Sequence, residues 1–172
     1  MAMLEIRPEE WNESAFEVIG QQWMLIGCEA GGRVNAMTAS WGGFGVLWNR
    51  PVIYLWVRPE RYTHLLLEEA HQFSVNILPG DMGECYRICG AVSGRDTDKI
   101  ARCALAVEHH TGIPFFSESR VSALCRLAYQ QPMTAGGYCD FGFLENTLQK
   151  GNLHTLFIGE IVALLQNEKS SE

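Results

Sequence analysis

The sequence predicts a mainly β protein, a closed or nearly closed antiparallel barrel carrying short helical insertions. Three observations lead there. Several stretches rich in β-branched and aromatic residues alternate with turns built on glycine, proline and asparagine. Helical stretches are few and short. Strand and helix do not alternate in the regular way that a parallel sheet requires. At 172 residues the chain reads as a single domain over 1–172, long enough to bury a real core.

Taken in order, residues 22–29 (QWMLIGCE) read as a strand, ended by a turn at Ala30–Arg33. Residues 34–41 read as a second strand. Gly42, Gly43 and Gly45 are expected to break it, with a short continuation at 46–48 that Pro51 closes. The clearest strand is 52–58 (VIYLWVR), stopped at Pro59. Thr63 is placed to cap a helix over 64–71. A strand at 73–78 (FSVNIL) ends at Pro79-Gly80, and 82–92 has apolar residues at helical spacing. Asp96 is expected to cap a short helix over 97–103. The run 104–110 (ALAVEHH) is strand-like and is followed by a loop with Gly112 and Pro114. Residues 121–131 and 153–165 read as long strands, joined by a connection over 132–151 that proline and glycine punctuate. A polar tail over 167–172 is expected to fray.

The formal net charge of −7, without a Lys/Arg cluster, argues against nucleic acid or an anionic membrane as partner, although one phosphate can still be held locally. No basic-then-apolar leader and no stretch of about 18 apolar residues occurs. The six cysteines sit mostly inside apolar runs and read as free thiols of a cytoplasmic protein. Cys85 and Cys89 share a helix face, which suits core packing better than a metal or redox pair. In His109-His110, an extended chain turns the two rings to opposite faces, one buried and one exposed. Dinucleotide, P-loop, nucleophile-elbow and zinc-helix signatures are missing, and no metal site is expected.

Three stretches can each hold an anion with neutral donors and a single charge. In NAMTASW, Thr38 and Ser40 fall on one strand face, and Ala39 with the following glycines lets a ligand approach the backbone. An ordinary edge strand explains the same pattern. In RPERYTH, Arg61 and Thr63 stand at a helix N-terminus, where free N–H groups and a guanidinium suit phosphate; a capped surface helix is the alternative. In AVSGRDTDK, a Ser-Gly turn enters a short helix carrying Arg95 and Lys99, which makes either an anion nest or a mobile loop. His154, at the start of the last strand, is either structural or placed to touch a ring system or to gate protons near neutral pH.

In this order, NAMTASW, VIYLWVRPERYTH, FSVNIL, SGRDTDK and HTLFIGEI resemble the flavin reductase-like proteins with an FMN-binding split barrel, particularly the flavoredoxin-like branch. The resemblance spans about residues 22–164. It implies that Asn35, Thr38, Ala39, Ser40 and Trp41 line FMN and that Arg61 and Thr63 reach its phosphate. By the same resemblance Asn76, Ser93, Gly94 and Lys99 lie near the cofactor, and His154 lies on the flavin or nicotinamide side as the catalytic candidate. It further implies a homodimer in which NAD(P)H, as transient co-substrate, reduces the bound flavin, with flavin, another small molecule or a partner protein as electron acceptor. An electron carrier that does not use NAD(P)H directly, and a barrel binding another ligand such as haem, are the alternatives. Residues 135–152 depart from the family pattern and are expected to shape the open face of the flavin.

Overall fold

The structure, a computed structural model, describes residues 3–149 and 152–167. Of the expected polar tail, residues 168–172 lie outside the described residues. In chain order the elements are β1 (Met3–Ile6), α1 (Ala15–Glu17), β2 (Met24–Ala30), β3 (Arg33–Ala39), β4 (Gly42–Leu47) and β5 (Arg50–Val57). Then come α2 (Tyr62–Ala70), β6 (Gln72–Ile77), α3 (Gly83–Ala91), α4 (Lys99–Arg102), β7 (Val107–His110) and β8 (Ile113–Phe116). The chain finishes with β9 (Val121–Pro132), α5 (Phe141–Gln149) and β10 (Thr155–Asn167).

One antiparallel sheet runs β3-β2-β6-β9-β10-β5-β4, with β1 added against the far half of β10. Its two outermost strands, β3 and β4, are consecutive in the chain. Only Ser40 and Trp41 separate them, a reach of about 10 Å at most. The two edges of the sheet must therefore come round to each other, which closes it into a barrel. Among the described residues no ladder joins β3 to β4, so the barrel is split along that seam. Two register shifts between β9 and β10 supply local bends. The interior is filled by Met24, Ile26, Ile53, Leu55, Phe73 and Phe157, among others, all shut away from solvent. A second cluster packs α3 and α4 against the outside of β2 and β3.

Several expectations are corrected. The glycine stretch at 42–45 does not break the strand: it is β4, laddered to β5. Backbone pairing needs no side chains, and at Gly42 a Cβ would lie 2.5 Å from the Tyr54 carbonyl oxygen. Pro51 does not end a segment but stands one residue inside β5, beside a two-residue turn whose Trp48 and Asn49 both have positive φ, 48° and 61°. Such a turn matches strand twist. The expected loop around Gly112 and Pro114 is instead the hairpin β7–β8, turned by Thr111 and Gly112, again both at positive φ. The strand expected over 34–41 stops at Ala39. The N-cap of α2 is Arg61, so Thr63 lies inside the helix. The N-cap of α4 is Asp98, whose side chain accepts from the Ala101 N–H, and not Asp96. Residues 3–22 and 141–149, left without elements by local pattern, hold β1, α1 and α5.

Candidate functional site

The seam opens into a cavity of about 490 Å³, lined by Met37 to Trp41 from β3 and its exit, Trp56 to Arg58 from the end of β5, Arg61, His154 and the α3 residues Tyr86, Arg87, Gly90 and Ala91. This size is within the range of small-molecule sites. The position follows from the fold. Strand β3 ends where the sheet closes, and α3 packs on β3, so the small side chains of 38–40 become one wall of a cleft.

Of the sequence-predicted residues, Thr38, Ala39, Ser40, Trp41, Arg61 and His154 meet at this cavity. Thr38 has already placed its proton: its hydroxyl donates to the Tyr86 carbonyl at 2.5 Å, leaving it an acceptor toward the cavity. Arg61 is half-buried. It donates to the carbonyls of Gly90 (3.1 Å) and Cys89 (3.4 Å) and to Met37 Sδ (3.2 Å). It thus covers the exposed carbonyl end of α3, where a cation is favoured, and two of its five N–H groups remain for a ligand. Burial, then the neighbouring Arg58, lowers its pKa.

Asn35, Thr63, Ser93, Gly94 and Lys99 are not among the residues that line the cavity. Asn35 Nδ2 donates to Thr63 Oγ1 at 2.8 Å, both buried. Gly94 packs so closely that a Cβ there would lie 2.0 Å from Asn35 Oδ1. Ser93 Oγ accepts from the Arg95 N–H. Buried Lys99 donates to the Cys89 carbonyl at 3.4 Å, and burial lowers its pKa. Asn76 is further away and fully enclosed. It bonds Leu25, Ser74, Phe116 and Ser122 and so ties β6 to β2, β8 and β9.

His154 lies just before β10 and is 5% exposed. Arg58 Nε donates to its Nε2 at 3.4 Å. A ring nitrogen that accepts carries no proton, so neutral His154 is protonated at Nδ1. Burial, then the Arg58 charge, lowers its pKa and keeps it neutral at pH 7. Trp41 packs edge-on against it, with ring centroids 4.9 Å apart.

Sequence reasoning missed Trp23, Trp56, Arg58, Tyr86 and Arg87 as wall residues. For Trp56 and Arg58 a signal existed: with 53, 55 and 57 facing the core, 56 and 58 share the opposite face. For Trp23 and the α3 residues none did, because only packing brings them to the seam.

Elsewhere, Cys85, Cys89 and Cys103 are buried together, with Cys89 and Cys103 sulfurs 3.8 Å apart. The core-facing reading of Cys85 and Cys89 agrees with this. His109 and His110 both reach carboxylates at the surface, Glu29 and Glu5 respectively, which corrects the expectation that one is buried. Among the described residues no group of His, Cys, Asp and Glu is arranged to hold a metal, and no helix is long and apolar enough to cross a membrane.

The family described as flavin reductase like domain matches residues 16–172. The chain belongs to this family. Among solved structures it is similar to flavoredoxin from Methanosarcina acetivorans, with 24% identity over 86% of this chain and 69% of that one and a TM-score of 0.69. It is similar to an FMN-binding domain of a flavin reductases-like enzyme from Shewanella baltica OS155, at 17% identity over 96% and 77% of the two chains and a TM-score of 0.69. It is also similar to an NADH:FAD oxidoreductase from Streptomyces globisporus C-1027, at 16% identity over 85% and 75% and a TM-score of 0.64. These likenesses show the fold: the mainly antiparallel split barrel with short helices that the sequence predicts. No curated protein matches the chain.

Proposed function

We propose that this flavin reductase-like protein is an FMN-binding oxidoreductase that takes electrons from NAD(P)H and delivers them to flavin or another acceptor. The observation that carries the reading is the make-up of the seam cavity. Small uncharged residues form one wall, Trp41 and Trp56 stand at another, and three arginines, 58, 61 and 87, line it without any carboxylate. A flat ring system bearing a phosphate fits this donor set. Thr38, Ala39, Ser40 and Trp41 would flank the rings. Arg61 would hold the phosphate, with Lys99 bonded to the same Cys89 carbonyl and the buried Asn35–Thr63 bond fixing the start of α2.

When bound, FMN supplies the redox chemistry; the chain binds, orients and shields. The indoles of Trp41 and Trp56 limit water access. Arg58 fixes the tautomer of His154, whose Nδ1–H can donate to a substrate atom. The proposed homodimer is supported by Val46 on edge strand β4, by Trp48 in the turn that follows it and by Phe16 on α1 packed beside that strand, which are 72%, 81% and 91% exposed. A cytoplasmic setting suits the six free cysteines.

Absorbance spectra of the purified protein, before and after adding FMN and then NADH or NADPH without oxygen, test the reading. Saturable flavin uptake and bleaching by at least one nicotinamide are expected. Protein that takes up no FMN sinks the proposal, and a Soret band in its place points to haem. Flavin that stays oxidised with both nicotinamides leaves an electron carrier. Sedimentation of the purified protein at twice the chain mass is expected, and a monomer sinks the dimer.

A further inference from the structure

Trp23 has a backbone conformation that local pattern does not explain. Its φ is 70° and its ψ 172°, a combination open to glycine and strained for a residue with a Cβ. Trp48, also at positive φ, turns a hairpin with Asn49, where such values are ordinary. His71, at positive φ too, ends α2. Trp23 instead leads into a strand, since β2 begins at Met24.

The strain is held from both sides. Before Trp23 the chain makes a wide, five-residue π-type turn over Val18–Gln22, with Val18 and Ile19 buried. Gln22 accepts from the Arg120 guanidinium and donates to Glu17 at 3.3 Å, and Arg120 is itself paired with Glu13. After Trp23, Met24 is fully enclosed and pairs with Ala39 in the β2–β3 ladder. Neither flank is free to turn and relieve the residue between them.

This backbone delivers the indole to the seam cavity, which Trp23 lines together with Ala39, Ser40 and Arg61. The indole stands edge-on to Tyr86, with ring centroids 6.4 Å apart. Tyr86 is buried and its hydroxyl accepts from the Leu78 N–H at 2.8 Å, so the ring against which Trp23 rests is fixed. An indole buried whole could offset the strain through its apolar area. Trp23 is 43% exposed, so in the free chain part of that offset is not made. A flat ring system seated in the cavity would make it.

We infer that Trp23 is a binding residue for the flavin ring, its indole held against that ring by the strained backbone. The contact rests on the flavin reading; the strain does not. Arg61 serves the phosphate and Trp23 the ring, so a flavin without a phosphate separates the two.

The test titrates wild type, Trp23→Gly, Trp23→Ala and Trp23→Phe with FMN and with lumiflavin, which keeps the ring and lacks the phosphate, by flavin fluorescence quenching. Each protein is also melted without ligand. Trp23→Gly and Trp23→Ala are expected to bind both flavins at least about tenfold more weakly, the scale of a lost ring–aromatic contact, and Trp23→Phe to stay within about threefold of wild type. Trp23→Gly is expected to melt at least about 2 °C above Trp23→Ala, because glycine relieves the strain and alanine does not. Wild-type lumiflavin affinity in Trp23→Gly and Trp23→Ala, or wild-type protein that binds FMN but not lumiflavin, overturns the inference alone. Equal melting of the glycine and alanine variants overturns the strain and the inference with it. Wild-type protein that binds neither flavin overturns the flavin reading together with this contact.

Discussion

Replacing Arg61 with alanine separates the two tasks assigned to this residue. In the free protein its guanidinium donates to the carbonyls of Cys89 and Gly90. Lys99 also donates to the Cys89 carbonyl, so that group keeps a partner in Arg61→Ala. The Gly90 carbonyl loses its partner, but Gly90 lines the cavity and water can reach it. The loss in stability is then about 1 kcal/mol, near the net worth of one hydrogen bond. For a chain of this size that lowers Tm by about 2–4 °C. The phosphate contact is a different matter. A charge-assisted bond is worth about 1.5–3 kcal/mol, so FMN affinity should fall by about 10- to 150-fold. Arg61→Lys should lie between, keeping the charge but losing the fork. Flavin fluorescence quenching gives the dissociation constant and a thermal melt gives Tm. A lowered Tm with unchanged FMN affinity would show that Arg61 is only a clamp on α3, and would refute its place in the phosphate site.

Further predictions concern the surroundings of the cleft. The lowered pKa of His154, from the ordinary 6.5, means that the unfolded chain binds the proton first as pH falls. Its contribution to stability is present above pH 6.5 and is lost as pH drops from there through the lowered value; His154→Gln should flatten this part of a stability–pH profile, and an unchanged slope would count against it. Gly94→Ala drives a Cβ into Asn35 Oδ1, which should break the Asn35–Thr63 bond and cost about 1–3 kcal/mol, read as a fall in the midpoint of urea unfolding; a wild-type midpoint contradicts the packing described. Five of the six cysteines are buried and Cys139 is exposed, and burial pushes the Cys28, Cys85 and Cys89 thiols up to about 12. Iodoacetamide at pH 8 should therefore label one thiol per native chain, at Cys139 by peptide mapping, with rapid labelling of any other site ruling this out.

Local pattern was sufficient for elements with a strong period or strong punctuation. The strand before Pro59, helix α2, the FSVNIL strand and the two long strands β9 and β10 all lie where their residues indicate. Elements without such a signal were missed. Strand β4 is half glycine, and its strand state comes from the partner β5. Helix α5 has no buried residue, so no core demand marks its limits in the chain. Thr63 looks like a cap in sequence, yet Asn35, 28 positions away, gives its hydroxyl another task.

For the site, the chain alone identified the chemistry of NAMTASWGGFG, with its paired hydroxyls, small residues and one indole, and the arginine at a helix start. Those are properties of composition and spacing over a few residues. Only the tertiary structure decided what they do together. The sheet closes so that strands joined by two residues become its opposite edges, and the seam between them becomes the cleft. Closure also brings α3 under Arg61, uses the proton of Thr38, sends Asn76 into the sheet core and makes Trp41 a wall of the cleft. Each of these depends on contacts between residues far apart in the chain, and no local period carries that information.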